Sequence, residues 1–172
     1  MELIKEITNN DIGLETNKKD KNYRIRRAAR AIVINDKDEV AILKVSNLNY
    51  HKLPGGGIEE NETIKEATYR EIKEETGCDI NILDEVGMII EYADNDDFLQ
   101  ISYCYLTKAF AYGQISLTEG EIAEGIALEW MPIDKALKVF KEDKLETYSG
   151  KFINLRDLML LEKAYEIYYL NK

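Results

Sequence analysis

Proline occurs only twice in this chain of 172 residues, cysteine twice, and histidine and tryptophan once each. Two cysteines, Cys78 and Cys104, exclude a disulfide-built scaffold and offer no ligand pair of metal-site spacing. They read as free buried thiols in a reducing compartment. No apolar run approaches the ~20 residues of a membrane-spanning helix. The first residues, Met1-Glu2-Leu3-Ile4-Lys5-Glu6, lack a basic segment followed by an apolar one, which predicts no signal peptide and a cytoplasmic location. Positive charge is in deficit: 23 Lys and Arg face 33 Asp and Glu, a net −10. That deficit argues against a general polyanion-binding surface, so neither a nucleic acid polymer nor a membrane is an expected partner. A small phosphate ligand stays compatible if a metal neutralises its site. The only histidine, His51, has no placed partner, so packing or stacking beside Tyr50 is favoured over a general base.

What the chain does have is concentrated between Gly56 and Cys78, GGIEENETIKEATYREIKEETGC. Thr63 followed by Glu66 is a capping-box pattern, and Gly77 is the residue expected just past a helix C-terminus. Good helix formers lie between them. On that helix Glu71, Glu74 and Glu75 stand at i, i+3 and i+4 and share one face, with the small Ala67 one turn earlier. Three carboxylates this close repel one another unless a cation sits among them, and an oxygen-only cluster suits Mg²⁺ or Mn²⁺. Arg70 and Glu62 can pair behind them and aim the ligands. An isolated run of Glu reads more simply as a solvated helix face. Here it follows Leu53-Pro54-Gly55-Gly56-Gly57, a glycine loop that lets backbone approach a ligand closely, and the two together favour a site.

This stretch resembles the Nudix box, G-x5-E-x7-R-E-U-x-E-E-x-G-U with U apolar. Gly56, Glu62, Arg70, Glu71, Glu74, Glu75 and Gly77 match, and Cys78 replaces the usual aliphatic residue at the end. A buried cysteine behaves as a small apolar residue. The resemblance implies an α/β fold, the Nudix-type α/β/α sandwich with a mixed β-sheet. It implies a hydrolase that cleaves a nucleoside diphosphate linked to another group, with Mg²⁺ as cofactor and Mn²⁺ as a substitute. Carried over, Glu71, Glu74, Glu75 and the Gly55 carbonyl are metal ligands, and Arg70 with Glu62 holds the glutamates. Glu124, with Glu121 second, is the extra loop carboxylate that acts as ligand or general base in many relatives; both also read as ordinary loop charges.

The rest of the chain fits one domain over residues 1–172, with 1–22 as an N-terminal extension. Leu3 to Thr8 reads as a short strand and Asn9 to Asn22 as a loop. Tyr23 to Asn35 and Val40 to Val45 read as a hairpin around the turn at Asp36 to Glu39. By the period of two, Arg24, Arg26 and Arg30 share a face of the first strand. Arg30, nearest the buried half, is the candidate for substrate phosphate or base together with Gly56 and Gly57; surface pairing is the plainer alternative for each Arg. Ser46 to Lys52 leads into the glycine loop. Ile80 to Tyr92, with a bulge at Gly87, Phe98 to Ala111, and Ile126 to Met131 read as strands. The acidic turn at Ala93 to Asp97 and the segment from Gly113 to Gly125 read as loops. Asp134 caps a short helix bearing Leu137 and Phe140, and residues 154–170 form an amphipathic C-terminal helix with Leu158, Leu161, Tyr165 and Tyr168 in one stripe.

The substrate is less determined. The NADH-type stretch SQPWPFPQS is absent, the ADP-ribose-type proline is missing from Tyr92 to Asp96, Asn95 and Asp96 occupy the zone of the dinucleoside-polyphosphate tyrosine, and no coenzyme A motif precedes the box. The resemblance then favours a nucleoside triphosphate, oxidised forms included. ADP-ribose or a nucleotide sugar is the alternative, and a non-catalytic nucleotide sensor is a second class, disfavoured because every box glutamate is present. The N-terminal segment and the last helix are the candidate faces for a homodimer.

Overall fold

Residues 1–16 and 22–170 are described by the computed structural model. β1 (Leu3–Ile7) is followed by a 3-10 turn at Asn9–Ile12, then β2 (Arg24–Ile34), β3 (Glu39–Val45), β4 (Tyr50–Lys52) and β5 (Gly55–Gly57). Helix α1 (Ile64–Thr76) leads into two long strands, β6 (Cys78–Ala93) and β7 (Phe98–Tyr112). Next come α2 (Glu119–Glu124), β8 (Ile126–Pro132), α3 (Ile133–Glu142) and α4 (Tyr148–Tyr165), which runs on as a π-helical turn over Glu166–Leu170. Among the described residues the strands form one mixed sheet, β1-β6-β7-β2-β3-β4, with β5 also on β2 and β8 on β3. β2 runs parallel to β7 from Arg24 opposite Phe98 to Ile34 opposite Lys108, and β6 is antiparallel to β7. β1 lies parallel on β6, so the N-terminal segment supplies an edge strand.

The alternation along β2 explains why helices cover both faces. Ile32 and Ile34 enter a cluster with Leu53, Ile89, Phe140, Phe152 and Leu160, to which α3 and α4 contribute. Ala31 and Val33 enter a separate cluster with Ile72 of α1, Cys78, Ile80 and Ala109. Period two thus splits one strand between two layers, giving the expected α/β/α arrangement. Cys78 is fully enclosed in the α1-side cluster, as an apolar end to the box requires. Gly87 carries the expected irregularity, with a register shift between Glu85 and Gly87 and φ +142°.

Six expectations are corrected. β2 and β3 pair only at Ile34–Val40, because β5 occupies β2 along Ala28 to Arg30 while β3 turns to β8 and β4. β4 itself lies in the stretch read as a lead-in loop. Part of the polar segment from Gly113 to Gly125 folds as α2, whose capping box joins Thr118 and Glu121. Asp134 lies inside the first turn of α3; Pro132 holds the N-cap position. α4 starts at Tyr148, capped by the Thr147 hydroxyl, since Gly150 is tolerated in its first turn. The loop expected over 9–22 contains the 3-10 turn, and its part at 17–21 lies outside the described residues. Among the described residues no helix is long and apolar enough to cross a membrane.

Candidate active site

The caps of α1 set the rotation of its acidic face. The Thr63 hydroxyl accepts from the Glu66 N–H at 3.2 Å, and the Glu66 carboxylate accepts from the Thr63 N–H at 2.8 Å. Gly77, in the left-handed region at φ +71°, ends the helix by donating to the Lys73 carbonyl. Between these stops Glu71 and Glu75 are buried and Glu74 is partly exposed. Ala67 is fully buried.

Arg70 ties this face to the loop before the helix. Its Nε and Nη2 each donate to a different oxygen of Glu62 at 2.9 Å, a bidentate fork. Nη1 donates to Glu71 at 2.7 Å and lies 3.5 Å from Glu74, while Nη2 also donates to the Gly57 carbonyl at 2.9 Å. The pairing with Glu62 first, then Glu71, raises the Arg70 pKa further above its already high value. Glu62 in turn accepts from the Glu59 N–H at 2.9 Å. The expected pairing of Arg70 with Glu62 is therefore formed, with Glu71 drawn into it.

Two of the three glycines make room for the protein's own packing. Gly55 sits at φ +130°, and a Cβ there would collide with the Ala29 carbonyl of β2. A Cβ on Gly56 would strike the Glu71 carboxylate. The Gly55 N–H donates to the Glu75 carboxylate, and the Gly55 carbonyl accepts from Arg30 Nη1. These two positions make different predictions. Gly55→Ala meets rigid backbone at a strained φ and is expected to lose about 1–3 kcal/mol of stability by chemical denaturation. Gly56→Ala meets only a movable side chain, so it is expected to fold normally while displacing Glu71. Its Mn²⁺ affinity, followed by electron paramagnetic resonance, is expected to fall ~10–100-fold. Unchanged Mn²⁺ affinity in folded Gly56→Ala would remove Glu71 from the ion's surroundings.

The donor set can be judged against a hard divalent cation. Among the described residues no three Asp, Glu, His or Cys side chains already converge to hold an ion. Arg70 draws Glu71 and Glu74, and Glu75 faces the Gly55 N–H. The chemistry nevertheless fits. Burial pushes the Glu75 carboxyl up to about 8 and also raises Glu71, each pressed further upward by a neighbouring carboxylate. Buried like charges on oxygen donors are stabilised by a hard cation. One lone pair of the Gly55 carbonyl is taken by Arg30.

The other residues singled out from sequence fall in different places. Arg30 is buried, and its pKa is held down at about 10 by that burial. Glu124 ends α2 with an exposed side chain, and among the described residues no hydrogen bond or ion pair joins its carboxylate to α1. Glu121 spends its carboxylate on Thr118, at 2.7 and 2.9 Å. His51 has a partner that the sequence did not place: its Nδ1 lies 2.8 Å from Asp143, its backbone N–H donates to the same carboxylate, and its ring lies beside Phe140.

A polar ladder on the α4 side of β2 escaped the sequence reading. Arg26 donates to Gln100 at 2.7 Å, Gln100 donates to Glu91 at 2.9 Å, and Glu91 accepts from Arg156 at 3.1 Å. Arg156 also donates to Asp157 at 2.7 Å, and Asp157 accepts from the Leu53 N–H just before the glycine strand. The available signal was the charged pair Arg156-Asp157 set directly between Leu155 and Leu158.

Comparison with known proteins agrees with this arrangement. The model of the NUDIX domain matches residues 24–155. A Caenorhabditis elegans protein provisionally named nudix hydrolase 1 is 30% identical over 135 residues, 76% of this chain and 34% of that protein. A Bacillus subtilis (strain 168) protein provisionally named 8-oxo-dGTP diphosphatase is 32% identical over 62 residues, 36% of this chain and 42% of that one. The aligned parts thus span well under half the length of either curated relative. The crystal structure of a MutT protein from Methanosarcina mazei Go1 superposes with a TM-score of 0.55 at 23% identity, over 78% of this chain and 94% of that one. A matched domain model across most of the chain, a shared fold, and a box whose glycines, arginine and glutamates pack together as one unit make this chain a member of the NUDIX domain family.

Proposed function

We propose that this chain is a divalent-metal-dependent pyrophosphohydrolase acting on a nucleoside diphosphate linked to another group, with nucleoside triphosphates, oxidised ones included, as the first substrate class. The observation that carries the reading is the buried carboxylate face of α1 pressed against a side-chain-free glycine strand and held by Arg70. Glu71, Glu74 and Glu75 would hold Mg²⁺, or Mn²⁺ in its place. The ion, when bound, neutralises phosphate oxygens and lowers the pKa of bound water. The protein's own part is positional. Arg70 and Glu62 fix the rotamer of Glu71, and Gly56 and Gly57 let a phosphate chain lie against backbone. Arg30 adds positive charge beside that strand, and Glu124 is the loop carboxylate that activates water. Phosphoryl transfer needs little else from a protein than position and charge.

The test is product release with Mg²⁺ from a panel: normal and oxidised triphosphates, ADP-ribose, nucleotide sugars, dinucleoside polyphosphates and NADH. Turnover is expected in the triphosphate group. Turnover confined to ADP-ribose or nucleotide sugars would replace the substrate class and keep the chemistry. No turnover of any member with Mg²⁺ or Mn²⁺, alongside measurable nucleotide binding, would replace the enzyme reading with that of a sensor.

A further inference from the structure

The segment that enters the glycine strand is held by carboxylates along one edge. Tyr50 to Lys52 lie on β3, opposite Val45 to Leu43. Successive amides of an extended chain turn to opposite edges, so those of His51 and Leu53 face away from β3. Pro54 has no N–H and bars a continuous ladder beyond them. Buried amides on such an edge need acceptors, since each unpaired N–H forfeits its hydration. Three carboxylates supply them. The His51 N–H donates to Asp143 at 2.7 Å, the Leu53 N–H to Asp157 at 2.8 Å, and the Gly55 N–H to Glu75. The donors are two residues apart, ~6.6 Å along an extended chain. The acceptors stand just after α3, on α4 and on α1, so they reach the segment from both faces of the sheet.

These acceptors exceed what the amides require. A neutral carbonyl or hydroxyl satisfies an N–H, whereas a buried carboxylate costs desolvation and needs a cation beside it. Asp157 and Leu53 are both fully buried, and Arg156 stands against Asp157 at 2.7 Å. A charge-assisted bond is shorter and stronger than a neutral one, so it fixes the position of its donor more tightly. Each aspartate also divides its two oxygens. In Asp157 one accepts from Arg156 and the other from the Leu53 N–H. In Asp143 one lies against His51 Nδ1, and the other accepts from the His51 N–H and from Asn154 of α4. Both therefore tie the segment to the helix layer that covers that face. Gly55 lies at the end of this hold. Its N–H meets Glu75 and its carbonyl meets Arg30, so a shift of the segment along its own axis moves both contacts at once.

We infer that Asp157, together with Asp143, is a positioning residue of the site: the two carboxylates fix the segment from His51 to Gly55 from the α4 face of the sheet, and so set where Glu75 stands on the α1 face. The inference rests on the reading that Glu75 faces the ion. Residues that orient a metal ligand from behind are worth ~10–100-fold in metal affinity.

The experiment compares Asp157→Asn with Glu91→Gln. Asparagine keeps the volume but offers one oxygen to two donors, so Arg156 and the Leu53 N–H are not both served. Glu91→Gln makes the same carboxylate-to-amide change on the other partner of Arg156 and leaves the bond from Leu53 to Asp157 in place. Two quantities are read. One is amide exchange of Gly55 in the metal-free protein by NMR, taken relative to Ile32 in the core of β2, a ratio that cancels general loss of stability. The other is Mn²⁺ affinity by electron paramagnetic resonance. In Asp157→Asn the Gly55 ratio is expected to rise at least ~10-fold and the Mn²⁺ dissociation constant ~10–100-fold. In Glu91→Gln both are expected to stay within ~3-fold of the parent. Asp143→Asn imposes the same shortage of oxygens at His51 and carries the test should Asp157→Asn not fold. Parent-like Gly55 exchange and Mn²⁺ affinity in the folded aspartate variants, or an equal change in Glu91→Gln, would overturn the inference. A parent protein that binds no Mn²⁺ loses the hydrolase reading instead, and the exchange ratio, read without metal, still decides whether the aspartates hold the segment.

Discussion

Glu74→Gln is expected to lower metal-dependent kcat by ~10²–10³-fold, the scale on which a preorganised charge at a transition state acts. The same substitution should barely touch stability. Glu74 is the most exposed carboxylate of its face and sits at the long end of hydrogen-bonding distance from Arg70. Its loss leaves the Arg70–Glu62 fork and the Arg70–Glu71 pair in place. Substitutions that spare buried features stay within ~0.5 kcal/mol, which is roughly 2 °C or less in melting temperature at this chain length. Activity and melting curves on one preparation therefore separate the site from the scaffold. A variant that hydrolyses as fast as the parent would show that the carboxylate face of α1 is not where the chemistry happens. Glu124→Gln assayed beside it reports whether the end of α2 contributes a base.

Arg156→Ala carries the largest expected loss of stability. The guanidinium is almost wholly buried between Glu91 at 3.1 Å and Asp157 at 2.7 Å. Removing it strands two buried carboxylates, and breaking such a pair costs ~3–5 kcal/mol. That corresponds to a fall of roughly 6–20 °C in melting temperature by circular dichroism. The exposed pair of Lys73 and Asp79, at a similar 2.9 Å, serves as the contrast. Lys73→Ala is expected to cost under ~1 kcal/mol, because solvent screens both partners. Equal melting of the two variants would mean that the ladder from Arg26 to Asp157 is hydrated in solution and not the dry network of the structure.

The ladder also explains where the sequence reading stopped. Its members are polar residues drawn from β2, β6, β7 and α4, with Arg156 joined to Glu91 across 65 positions and Arg26 to Gln100 across 74. Local pattern carries no term for such partners. The same applies to the brief pairing of β2 with β3. Two strands around a turn read as a hairpin, and only the insertion of β5 on β2 parts them. The glycines were legible as a need for close approach, but the approach was read as one to a ligand. In the fold, Gly55 and Gly56 first make room for Ala29 and Glu71.

By itself the sequence determined what depends on neighbours along the chain. The ends of α1 followed from Thr63, Glu66 and Gly77, and the shared face of Glu71, Glu74 and Glu75 followed from helical period. The division of Ile32 and Ile34 from Ala31 and Val33 was implicit in strand period, and two helix-covered layers were implied with it. Tertiary structure alone decided that Arg70 spans Glu62, Glu71 and Gly57, that Arg30 grips the glycine strand, and that Arg156 ends buried between Glu91 and Asp157. The physical reason is that a capping bond or a helical face is specified within a few residues, whereas the partner of a buried charge is chosen by which distant segments the sheet brings together.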